Sequence, residues 1–60
     1  MSVEHYVTVL TELQWCIRIL GASKKLVREL GEEDAFRHID EAVRNLVLAR
    51  RDLIKKVKKY

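Results

Sequence analysis

The chain has no proline, two glycines (Gly21 and Gly31), a single cysteine and four aromatic residues in sixty. Without proline, nothing in the covalent backbone forbids long helices. Cys16 alone cannot close an intrachain disulfide, and His5 and His38 lie far apart with no cysteine beside them. Neither a disulfide nor a metal, the usual supports of a small fold, is therefore expected. No apolar run approaches the roughly 20 residues that a membrane helix needs. Met1-Ser2-Val3-Glu4 lacks the basic start and apolar core of a secretion signal. The expectation is a cytoplasmic protein, and one unpaired cysteine suits a reducing compartment. No glycine-rich phosphate loop, carboxylate pair or Ser/His/Asp set is present, so neither an enzyme nor a cofactor is expected.

What the chain does have is apolar and charged residues in quantity, 48% and 35%, with a net charge of +3. That mixture is too hydrophobic for a disordered chain. Sixty residues make one domain at most, and a compact chain of that size buries only roughly 60% of its unfolded surface. Ordering costs about 1.5 kcal/mol per residue. With disulfide and metal set aside, oligomerisation is the support that remains.

Ser2 followed by Val3-Glu4 has the pattern of an N-cap with a carboxylate in the first turn, facing the positive end of the helix dipole. Tyr6, Leu10, Leu13, Ile17 and Leu20 then recur at alternating spacings of three and four, and Val27 continues the register past Lys24. Leu30-Gly31 has the form of a helix C-terminus with glycine at the positive-φ position. A break at Gly21-Ala22-Ser23 would put Lys24 and Lys25 at a helix N-terminus, where cations are disfavoured. A continuous helix with a weakened, bent middle is the preferred reading. After the turn, Glu32-Glu33-Asp34 again match a helix dipole. Phe36, Ile39, Val43, Leu46, Leu53, Val57 and Tyr60 form one heptad stripe, broken at Arg50. Ala35, Ala42 and Ala49 give that stripe a small edge that can admit a neighbouring backbone. Lys55, Lys56, Lys58 and Lys59 suit the negative helix end.

These signals define an all-α, antiparallel two-helix hairpin, with helix 1 over about 3–30, a turn at 31–32 and helix 2 over about 33–58. Each helix is about 28 residues, or roughly 42 Å. Symmetry about the turn sets position i of helix 1 opposite a position of about 64 − i. That rule pairs Leu20 with Val43, Leu10 with Ile54 and Tyr6 with Val57. It also gives the two polar interruptions polar neighbours: Lys24 near Asp40, and Arg50 near Gln14. Cys16, at the stripe's edge, is expected as a small buried hydrophobe rather than a nucleophile.

Helix 1 carries a second apolar strip, Trp15, Ile19, Ala22 and Leu26, with Leu30 at its end. One facing helix covers one seam and not two, so a hairpin leaves this strip without a partner. The leading expectation is a homodimer or higher oligomer, a four-helix bundle of two hairpins in which the strip packs on a second copy. A different protein is the other candidate occupant. The function expected from these features is an adaptor or assembly module.

Charge offers an alternative. Residues 1–49 contain six basic and eight acidic side chains, while residues 50–60 contain six basic ones and only Asp52. Arg37, Arg44, Arg51 and Lys58 recur every seven residues as an outer ridge that, with Lys55 and Lys59, could contact a nucleic-acid backbone. The plainer reading is a solvated face, because no exposed aromatic is interleaved with these cations. A membrane-surface role is weaker, since the apolar stripe is already used by the hairpin. Asp34, His38 and Glu41 share one helix face at metal-ligand spacing, but it is the polar face, so no metal is expected.

Overall fold

The computed structural model describes residues 3–58. Ser2, expected as the first cap, and Lys59 and Tyr60 lie outside the described residues. Two helices account for nearly all the rest: α1, Val3–Glu29, and α2, Glu33–Val57. The molecule measures 45 × 14 × 13 Å, so its long axis is little more than the roughly 40 Å of a 27-residue helix. The helices lie side by side and antiparallel.

The turn shows why the chain reverses here. Gly31 has φ +76°, its N–H donates to the Arg28 carbonyl at 3.0 Å, and the Glu32 N–H donates to the Val27 carbonyl at 3.4 Å. These two bonds are the paired closures of a Schellman motif, which needs a left-handed residue and therefore favours glycine. Opposite it, Glu32 occupies the N-cap position of α2 without a side-chain capping bond. Glu33 and Asp34 in the first turn supply the dipole complement instead. At Gly21 the helix runs on unbroken, because i→i−4 bonding on both sides tolerates one weak former. Thr8 and Thr11 return their hydroxyls to the carbonyls of Glu4 and Val7 at 3.0 and 2.9 Å, satisfying them within α1.

The seam follows the heptads. Leu10, Leu13, Ile17, Leu20 and Val27 on α1 and Phe36, Ile39, Val43, Leu46, Leu53 and Val57 on α2 are all half-buried. Register is marked by Lys24 Nζ, which donates to Asp40 Oδ1 at 2.9 Å. At the open end, Leu10, Gln14, Arg50 and Ile54 line a single groove, as symmetry about the turn requires. Near the turn, Phe36 lies between two cations of α1, with Lys24 Nζ at 5.8 Å and the Arg28 guanidinium at 5.5 Å from its ring centroid. Such contacts contribute about 0.5–1 kcal/mol each at exposed sites.

Among the described residues none is fully buried, apolar or polar. A single facing helix shields only the two rows nearest it. This corrects one expectation: Cys16 is exposed, because it sits one row outside the seam, where α2 does not reach. Ala35, Ala42 and Ala49 are exposed for the same reason, so the small edge of α2 admits no neighbouring backbone within this chain.

Candidate functional site

The strip on α1 is an extended uncovered apolar feature. Trp15 is 59% exposed, Ile19 58% and Leu26 62%, and Ala22 between them is exposed as well. Leu30 is 75% exposed, but it lies just past the helix end, in the turn that follows Glu29. At 100° per residue, the strip is centred about 150° around α1 from Ile17, Leu20, Lys24 and Val27. It therefore points largely away from α2, and its residues stay exposed in the hairpin. Arg18 lies over the Trp15 ring, 5.7 Å from its centroid, so the indole is flanked by a cation while its remaining surface is open.

A groove at the open end adjoins the strip, lined among others by Val7, Gln14, Trp15, Arg50 and Ile54. Arg50 is half-buried there. Among the described residues it has no carboxylate within ion-pair distance, and no hydrogen bond joins it to Gln14. A second apolar spot, Val47 at 39% and Leu48 at 51% exposure, lies on α2 beside Asp40 and Arg44. The alternating heptads on their own do not single out these two neighbours, because both fall outside the seam positions.

The basic ridge is partly neutralised. Arg37 pairs with Asp34 at 2.9 Å and Arg44 with Asp40 at 3.2 Å, both within one turn of α2. Asp40 therefore accepts from Lys24 of α1 and from Arg44 of its own helix. The Lys24 hydrogen bond is the main reason its carboxyl is held below the ordinary 3.8; partial burial opposes this and Arg44 adds to it. Arg51, Lys55 and Lys58 are exposed and have no ion pair among the described residues. Lys59, the other cation expected here, falls outside the described residues.

Asp34, His38 and Glu41 are exposed on α2, and among the described residues no three His, Cys, Asp or Glu side chains are grouped so as to hold a metal ion. No helix among the described residues is long and apolar enough to cross a membrane. Compared with known proteins, the chain matches no family model, no curated protein and no solved structure.

Proposed function

We propose that this chain is a small self-associating helical hairpin that serves as an adaptor or assembly module through protein–protein contacts, with two hairpins contributing four helices. The observation that carries this reading is a mismatch between surface and core. The chain exposes 5057 Å², whereas a compact monomer of 7.1 kDa exposes about 4,100 Å². The surplus, about 1,000 Å² per chain, includes the Trp15/Ile19/Leu26 strip, while no described residue is buried. Two helices that share only one half-shielded seam are marginal on their own, because most helical stability in proteins comes from packing. A second chain supplies what is missing.

The test is helix content against concentration. Circular dichroism of the unmutated protein should show helicity rising with protein concentration, because association and folding are linked. Helicity that is full and independent of concentration down to the lowest measurable level would remove the reading.

Arg51, Lys55 and Lys58, which have no ion pair among the described residues, favour a second reading, contact with a nucleic-acid backbone. It ranks lower because Arg37 and Arg44, half of the seven-residue ridge, are already engaged by Asp34 and Asp40. Salt separates the two. Binding to generic duplex DNA or RNA that is strong at low salt and falls steeply with added salt would promote the second reading, and no binding at low salt ends it.

A further inference from the structure

We infer that the second copy docks on the outer face of α1 and runs antiparallel to it, so that Trp15 of each copy meets Leu26 of the other and Ile19 meets Ala22. This rests on the self-association reading and adds its surface and orientation.

The first argument is the spacing. Trp15, Ile19, Ala22 and Leu26 are separated by four, three and four residues, a sequence that reads the same in both directions. A twofold axis perpendicular to α1, midway between Leu20 and Gly21, superimposes the strip on its reverse, as an isologous contact requires. The sizes follow the same symmetry. The central Ile19–Ala22 pairs are small and the outer Trp15–Leu26 pairs are large, the taper needed by two helices that cross at their midpoints and diverge toward their ends.

The second argument is position. The strip faces about 150° away from the seam, so docking through it leaves α2 of each copy on the outside and sets the two α1 helices in the middle. A square bundle would bury the flanks of the seam and leave Trp15 in water. The third is area. A specific interface must clear about 1,000 Å² over both partners, about half of the combined surplus of roughly 2,000 Å² that two elongated chains carry.

Charge selects the direction. Residues 50–58 hold five cations against Asp52, while residues 28–37 around the turn, at the opposite end of a 45 Å rod, hold Glu29, Glu32, Glu33 and Asp34 against Arg28 and Arg37, the last paired with Asp34. Parallel docking would set the two basic ends side by side. Antiparallel docking brings each acidic turn level with the other copy's basic end, which favours encounter in that orientation. One local contact opposes it: Glu12 meets the second copy's Glu29 at the strip's edge.

That contact supplies the test. Two variants are made in a Cys16→Ser background, Glu12→Cys and Glu29→Cys, neither of which removes an apolar residue of the strip. Mixed and treated with a short bismaleimide, they should crosslink to each other, and neither should crosslink efficiently to itself. Self-crosslinking of each variant would overturn the antiparallel arrangement, and a dimer that yields no crosslink in any mixture would overturn the surface. Glu12→Lys, which converts a repulsive contact into an attractive one, should tighten the dimer by about threefold or more. Ile19→Glu should weaken it by about a hundredfold. A dimer unaffected by Ile19→Glu contradicts this geometry while leaving self-association intact. A monomer at every concentration removes both, and leaves the strip to a different protein.

Discussion

The two helices of this hairpin are nearly equal in length and opposite in design. α2 is apolar mainly on one face: its seam residues meet α1, and its outer surface carries Arg37, Arg44, Arg51 and Lys58 in water, interrupted by Val47 and Leu48. α1 is apolar on two. One face, from Leu10 to Val27, meets α2, and the other, from Trp15 to Leu26, is left more than half exposed at its large side chains. The difference separates two surfaces: α2 turns mainly charged residues outward, whereas α1 leaves an apolar strip exposed, the surface on which the proposed association rests. A helix that needed only to pair with α2 would have polar residues where Trp15, Ile19 and Leu26 stand.

The comparison predicts unequal responses to the same substitution. Trp15→Glu or Ile19→Glu on α1 should cost on the order of 2–4 kcal/mol of assembly and convert an oligomer to an unstable monomer, as read by sedimentation. Leu48→Glu on α2, at comparable exposure, should stay within about 0.5 kcal/mol in denaturant melts. Equal effects at the two sites would erase the distinction between the helices. Within the shared seam the helices should respond alike. Leu20→Ala on α1 and Leu46→Ala on α2 remove half-buried side chains, and each should cost about 1–2 kcal/mol, below the range for a fully buried leucine.

Much of this was legible from the sequence, for reasons tied to particular residues. The three-and-four spacing from Tyr6 to Leu20 and the heptads from Phe36 to Val57 specified both seams, since a facing helix covers just those rows. Gly31 marked the turn because a Schellman motif needs positive φ, and the short connection then set the register that brings Lys24 to Asp40. What was misjudged lay one row off the seam. Cys16 was expected inside and is exposed, because periodicity gives a residue's angle around the helix and not how far the neighbouring helix extends over it. Periodicity does not give the cation contacts on Trp15 and Phe36. Arg18 at i+3 from Trp15 was visible in the sequence; the contact of Arg28 with Phe36 needed the packed turn.

The two glycines sharpen the comparison at smaller scale, since substituting alanine should act in opposite directions. At Gly31, φ +76° strains any L side chain even though the space is open, so Gly31→Ala should destabilise by about 1 kcal/mol. At Gly21, an α-helical site where an added Cβ meets nothing within 4 Å, alanine should stabilise by about 0.5–1 kcal/mol. Thermal melts of the two variants check both signs. The smallest expected effect is the pH dependence of the Lys24–Asp40 pair. Asp40 has the lower pKa in the folded state, so its contribution is full above the ordinary 3.8 and is lost as pH falls through the lowered value. Asp40→Asn should flatten the acid side of the stability profile, and an unchanged acid limb would show that this pair does not couple the helices.

The central claim is that α1's outer face makes this hairpin an associating unit. Sedimentation equilibrium of the unmutated protein over a wide concentration range tests it most directly. The account predicts a reversible shift from the 7.1 kDa chain to a species of about twice that mass, or a higher multiple, as concentration rises. A stable, fully helical 7.1 kDa monomer at all concentrations would contradict it.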